Sequence, residues 1–373
     1  MSRKNNKPEW APENAGKEFA SKVVKGKESQ HDGMPGKKSD IKRKTPAKRK
    51  LSIENYVNGV LEHDRTILAQ TITLIESNSE KHFEMGQEVL RLLLPHTGKS
   101  LRIGITGVPG AGKSSFIEAL GCQLMKEELQ LAVLAVDPSS SLSKGSVLGD
   151  KTRMEMLSRN QNCFIRPSPS GGKLGGVTRK TRETTLICEA AGFDIIFIET
   201  VGVGQNEITV RSMVDFFLLL KIAGAGDELQ GIKKGVIELA DAILINKADG
   251  DNIKRAEIAK RDFANALHYL KSPTKDWNPQ TLTCSSLTGD GIYPVWEMIR
   301  KFEDNVRKSG VFDYRRNQQN LGWMHDLVSE RLLNNFYTDP EIKAMMPQLE
   351  KEVVEGKIPP TQAAWRLLKE IDK

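Results

Sequence analysis

The stretch Gly107-Val108-Pro109-Gly110-Ala111-Gly112-Lys113-Ser114 decides how this chain is read. An apolar run with Leu101, Ile103 and Ile105 leads into it, and Phe116, Ile117 and Leu120 follow at helical spacing. A Gly-rich loop between a strand and a helix lets backbone N–H groups approach phosphate oxygens closely. The N-terminus of the following helix adds a favourable field for an anion. In that arrangement Lys113 is placed to reach the β and γ phosphates and Ser114 to ligate Mg²⁺, with Ser115 ending the nucleotide-binding run. The plainer reading, a Gly-rich turn that binds nothing, does not account for the strand and helix on either side. A nucleoside triphosphate site is therefore expected.

Which base it takes is read from Asn246-Lys247-Ala248-Asp249, at the end of another apolar run. A carboxylate at 249 can accept two hydrogen bonds from the N1–H and exocyclic amine of guanine, a pair that adenine does not offer. A buried carboxylate left partly unpaired by the wrong base gives strong discrimination. Lys247 is expected along the base plane, and Asn246 is expected to tie this loop to the phosphate loop. Cys284-Ser285-Ser286 ends the next strand, with Ser285 and Ser286 placed to offer backbone N–H to the guanine carbonyl. Two further strands end in acids, Asp137 and Glu199, where Mg²⁺ ligands belong beside a phosphate loop. Glu199-Thr200-Val201-Gly202 stands where most regulatory GTPases carry Asp-x-x-Gly. The residue after that glycine is Val203, which cannot orient water as the glutamine of Ras-like proteins does, and the nearest glutamine is Gln205. Slow intrinsic hydrolysis, completed by loop rearrangement or by a partner, is the expectation.

Around these motifs, strands alternate with helices. The spacing predicts strands at 102–106, 132–136, 195–199, 215–220, 242–246 and 281–284, several of them apolar on both faces, as in a parallel sheet covered by helices. Residues 99–300 read as a doubly wound α/β domain. Helical spacing runs over 51–77 and 81–94 before it, and over 321–336 and 342–368 after it. Three polar, Gly-rich segments, 139–153, 167–182 and 224–235, read as mobile loops that a γ-phosphate could order.

The chain has 373 residues and a formal net charge of +7, but 15 of its 55 basic residues and only 6 of its 48 acidic ones lie within 1–50. The remaining positions carry a net of −2. The basic character belongs to a tail rich in Lys, Gly, Pro, Ser and Asn, expected to be disordered. That distribution argues against nucleic acid as the partner of the folded body. The four cysteines are scattered with no C-x-x-C pair, so neither a metal cluster nor a disulfide framework is supported. No apolar run is long enough to cross a bilayer. A cytoplasmic protein is the simplest expectation.

With these residues in view, the chain resembles the MeaB family, also called ArgK or LAO/AO transport ATPase and related to the human cobalamin A protein. The resemblance covers roughly 51–373 and rests on strings such as Ala135-Val136-Asp137-Pro138-Ser139-Ser140, Leu148-Gly149-Asp150-Lys151-Thr152-Arg153-Met154, Glu199-Thr200-Val201-Gly202-Val203-Gly204-Gln205 and Gly226-Asp227-Glu228-Leu229-Gln230-Gly231-Ile232-Lys233. It implies a P-loop NTPase of the SIMIBI type, α/β with helical N- and C-terminal extensions: 51–98 helical, 99–300 the GTPase domain, 301–373 a helical homodimerisation region. It implies a GTPase chaperone of adenosylcobalamin-dependent methylmalonyl-CoA mutase or a related acyl-CoA mutase. It places Asp150 with Asp137 and Glu199 as acids around the metal, Arg153 in the first switch, Gln205 in the second, and Asp227 and Lys233 in a further loop that supports stimulated hydrolysis. Two competing readings are a kinase or ATPase acting on a basic amino-acid transport-binding protein and a metal-insertion GTPase. The first lacks an acid or histidine at an acceptor site, and the second lacks the Cys/His cluster that a borderline-soft metal needs.

Overall fold

Apolar runs buried on both faces build the sheet. In β1 (Leu101–Gly107) every residue is buried, with Leu101, Ile103 and Ile105 entering one core cluster. Gly104 faces the other way, where an added Cβ would lie 3.0 Å from Phe217, Val210 and Val214. The same alternation divides β4 (Ile195–Thr200), sending Ile195 and Phe197 to one face and Ile196 and Ile198 to the other.

The computed structural model describes residues 51–136, 153–167, 174–200, 206–224 and 235–371, except the side chains of 174–177, 206 and 371. The other strands are β2 (Leu131–Val136), β3 (Cys163–Arg166), β5 (Phe216–Ile222), β6 (Ala242–Asn246) and β7 (Gln280–Thr283). They form one sheet in the order β3-β2-β4-β1-β5-β6-β7, with every pair parallel. Ile105 of β1 lies opposite Glu199 on one side and Leu218 on the other. β1 thus sits centrally, with all carboxyl ends on one edge, the arrangement expected of a doubly wound fold.

Among the described residues the helices are α1 (Ile53–Leu61), α2 (Arg65–Glu76), α3 (Glu80–Leu93), α4 (Lys113–Leu124), α5 (Glu155–Arg159), α6 (Leu174–Ala190), α7 (Asn206–Arg211), α8 (Ile253–His268), α9 (Ile292–Lys308), α10 (Val311–Thr338), α11 (Pro340–Val354) and α12 (Pro360–Ile371). One face of the sheet buries residues of α2, α3, α6 and α8, and the other those of α4 and α9. Helix α9 runs across residue 300 and buries Trp296, Ile299, Phe302 and Val306.

Several expectations need correction. The helical run over 51–77 is two helices, broken where His63 adopts φ 60° and Asp64 Oδ1 accepts from Thr66 N at 2.7 Å and Ile67 N at 3.0 Å. The segment 167–182 is not loop throughout: its second half is the start of α6, whose Thr181, Glu183, Thr184 and Thr185 are buried. Tertiary packing there overrides the weak helix propensity of Gly and Thr. The helix expected at 321–336 begins ten residues earlier and is 28 residues long. Asp215 precedes β5 rather than starting it, although its N–H donates to Arg102 O at 2.9 Å; its carboxylate accepts from Arg102 N at 2.8 Å and from Arg316 Nε at 2.8 Å.

That last contact belongs to a buried charge network at the amino ends of the strands. Arg102 makes a two-pronged pair with Glu189, both bonds at 2.8 Å. Arg316 of α10 reaches Asp215 at 2.6 Å and Glu189 at 3.2 Å. It also donates to Ser100 O at 2.6 Å and Gly98 O at 3.1 Å. The network fixes α10 to the sheet edge opposite the phosphate loop.

Candidate active site

The loop after β1 is shaped by its glycines. Gly107 has φ 152°, and a Cβ there would lie 2.3 Å from Leu220 O. Gly112 has φ 85°, and a Cβ there would lie 2.6 Å from Asn246 Nδ2. Val108, Pro109, Gly110 and Ser115 are exposed, whereas Ala111 and Lys113 are buried. Helix α4 opens with Phe116 N donating to Gly112 O at 2.8 Å, so the free N–H groups of its first turn stand at the loop.

Lys113 Nζ donates to Gly107 O at 2.9 Å and Val108 O at 3.4 Å, holding the ammonium against the start of the loop. Burial depresses its pKa below the ordinary lysine value, Glu199 opposes the shift, and Arg153 reinforces it. An anion arriving there favours the charged form. Glu207 acts on Lys113 in the same sense as Glu199; no motif had pointed to it. Arg153 is exposed and within electrostatic reach of Lys113.

Ser114 Oγ donates to Glu199 Oε1 at 3.0 Å, so the second residue of α4 and the acid next to the end of β4 share one spot. Beside them Thr200 Oγ1 donates to Thr106 Oγ1 at 2.8 Å, stitching β4 to β1.

The base-reading motif is joined to the phosphate loop through Asn246, which is 1% exposed. Its Nδ2 donates to Ala111 O at 2.8 Å. Its Oδ1 accepts from Ser286 N at 3.1 Å, Ser286 Oγ at 2.9 Å and Cys284 Sγ at 3.4 Å. Lys247 turns the chain with φ 60°, and Ala248 N bonds Cys284 O at 3.0 Å. Ser285 Oγ donates to Asp249 Oδ2 at 2.5 Å, orienting the carboxylate. Ser285 and Ser286 thus act first on Asp249 and Asn246. Cys284 is a hydrogen-bond donor rather than a reactive thiol, its pKa pushed up to about 12 by burial.

The structure therefore brings together Gly107 to Ser115, Glu199, Arg153, Asn246, Lys247, Asp249, Ser285 and Ser286 at the carboxyl edge of the sheet. Asp137, Asp150, Gln205, Asp227 and Lys233 lie outside the described residues. Among the described residues no group of three or more His, Cys, Asp or Glu is placed to hold a metal, and no helix is long and apolar enough to cross a membrane.

The family model described as methylmalonyl Co-A mutase-associated GTPase MeaB matches residues 68–341. This chain belongs to the MeaB family. GTPase ArgK of Escherichia coli is 46% identical over 290 residues, 78% of this chain and 88% of its own. The mitochondrial methylmalonic aciduria type A homolog of Mus musculus is 44% identical over 332 residues, 86% of this chain and 80% of its own. A solved structure titled LAO/AO transport system kinase superposes with a TM-score of 0.71 at 37% identity, covering 86% of this chain and 98% of that one. This MeaB-family protein is a P-loop GTPase that binds guanine nucleotide.

Proposed function

We propose that the protein is a Mg²⁺-dependent, homodimeric, cytoplasmic GTPase that serves an adenosylcobalamin-dependent acyl-CoA mutase, methylmalonyl-CoA mutase or a close relative, gating cofactor loading and protecting that enzyme from inactivation. The observation that carries the GTPase half is Asn246, one buried side chain joining the phosphate loop to the base-reading strands. The mutase half is supported by the description of the family that the chain belongs to.

The oxygens of Ser114 and Glu199 fit a divalent metal. Both are the hard oxygen donors that Mg²⁺ takes, and their hydrogen bond at 3.0 Å puts them side by side, where they would hold the ion together. When bound, the ion neutralises charge on the β and γ phosphates. Asp137 and Asp150 are proposed to complete the acidic surroundings. Lys113 binds the phosphates, Asp249 accepts from guanine, and Ser285 holds that carboxylate in place. Arg153 or Lys233 offers positive charge to the charge developing on the γ-phosphoryl. Gln205 and Asp227 belong to the loops that respond to the nucleotide, and Val203 in place of a water-orienting glutamine makes unaided hydrolysis slow.

Residues 301–373 are proposed as the dimerisation region. Leu321, Met324, Val328 and Leu332 recur along one stripe of α10 and are 50–64% exposed, an apolar surface that a second copy would cover.

Steady-state GTP turnover with and without methylmalonyl-CoA mutase tests the reading. Slow release of phosphate, raised severalfold by the mutase, is expected. Transfer of the γ-phosphate to a protein acceptor instead of water would replace this reading with a kinase.

A further inference from the structure

At the amino ends of β5, β6 and β7, opposite the phosphate loop, the protein has a second recess. It is an open cavity of about 470 Å³, within the range of small-molecule sites. Among the described residues its wall carries three cations, Arg211, Lys275 and Arg315, and none of those lining it is acidic.

The positive charge there is under-compensated. Arg211 Nη1 donates to Asp241 Oδ2 at 2.8 Å, and its Nη2 donates to Thr274 Oγ1 at 3.1 Å. Arg315 turns to the same two partners and to a backbone carbonyl: its Nη2 donates to Thr274 Oγ1, and its Nη1 donates to Asp215 O and lies 3.8 Å from Asp241 Oδ2. One carboxylate therefore serves two guanidinium groups. The nearby Asp215 is already committed, its carboxylate to Arg316 and to the Arg102 amide. Lys275 is exposed and makes no ion pair among the described residues. Burial, and then the neighbouring Arg211, hold Arg315 below the ordinary arginine pKa. An arriving anion would oppose both effects by favouring the charged guanidinium. The rest of the wall includes Tyr314, Val311 and Pro273, which can cover an apolar body.

We propose that this recess is a second ligand site, binding a small anion that carries phosphate or carboxylate on an apolar body. Planar guanidinium groups suit either anion. The site is distinct from the nucleotide site, since β5 to β7 separate it from the carboxyl edge where Asn246 and Asp249 stand.

The test uses the full chain saturated with GDP and Mg²⁺, so that the phosphate loop is occupied. Phenyl phosphate, phthalate and the uncharged benzyl alcohol are titrated by calorimetry at low salt. At least one anion is expected to bind saturably and benzyl alcohol not at all. Lys275→Glu, at an exposed position, should weaken the anion on the order of tenfold through charge reversal. Tyr314→Ala should weaken phenyl phosphate with the charges intact. Preference for phenyl phosphate identifies a phosphate ligand, and preference for phthalate a carboxylate. Absence of saturable binding by both anions, or equal affinity in Lys275→Glu, overturns the proposal. GDP affinity, titrated into nucleotide-free portions of the same protein preparations, reports on the active site separately, so failure there and failure here are told apart.

Discussion

Replacing Asn246 by alanine should uncouple the phosphate loop from the base-reading loops while leaving both in the chain. The lost side chain makes four contacts, but they are unequal. Ser286 Oγ and Cys284 Sγ can rotate toward other partners, whereas Ala111 O and Ser286 N are backbone groups fixed in place. Asn246 is 1% exposed, so water does not readily replace it. Counting roughly 1–1.5 kcal/mol for each of the two backbone bonds gives about 2–3 kcal/mol. If that coupling serves nucleotide binding, GDP affinity falls by roughly 30- to 150-fold. Fluorescence titration with a labelled GDP measures the affinity, and circular dichroism checks that the sheet persists. Asn246→Asp is the sharper variant. It keeps the shape but sets a carboxylate oxygen against Ala111 O or against nothing, so its affinity should be no better than that of the alanine variant. Affinity within threefold of wild type in either folded variant would refute the idea that this side chain links the two halves of the site.

Lys113→Ala removes the ammonium held at 2.9 Å from Gly107 O and should abolish GTP binding in calorimetry; measurable micromolar affinity would contradict its assignment. Asp249→Asn exchanges an acceptor for a donor, so the ratio of GTP to xanthosine triphosphate affinity should fall by about 100-fold or more; an unchanged ratio removes the base-contact assignment. Burial alone would raise the pKa of Asp215, but the bonds and charge of Arg316, with help from Arg102, pull it below the ordinary value. A carboxylate depressed in the folded state contributes stability that is present above its unfolded pKa and is lost as pH falls through its folded pKa. Arg316→Met leaves that buried carboxylate with only the Arg102 amide and charge to support it and should destabilise the chain by about 3 kcal/mol at neutral pH. Its acid-induced loss of stability should also begin from a different baseline, because Asp215 then favours the protonated form. Urea unfolding at neutral and acid pH checks both, and superimposable profiles for variant and wild type would show the network to be inert.

The nucleotide site was legible because its chemistry is written in residues that stand close together in sequence. Gly107 and Gly112 are required by backbone positions that no side chain can occupy, so the spelling of the loop carries its shape. The link from Asn246 to that loop, expected from the motif alone, is a bond to Ala111 O. The boundaries of 51–77 were less legible, since a left-handed His63 and a capping Asp64 look like ordinary polar residues in a helical run. The beginning of α6 was misread for the opposite reason. Gly175, Gly176 and the threonines that follow disfavour a helix locally, and it is from Lys180 onward that burial against the rest of the domain supports one.

What the sequence could not show is where charge is buried. Arg102, Glu189, Asp215 and Arg316 are spread over more than 200 positions, and each alone looks like a solvated residue. Folding collects them at the amino edge of the sheet, and the same edge leaves Arg211 and Arg315 sharing Asp241. The two edges therefore obey different rules. At the carboxyl edge, local backbone geometry places the groups, and motifs reveal them. At the amino edge, long-range packing of α10 onto the strands places them, so their function has to be sought in the balance of charge rather than in spacing along the chain.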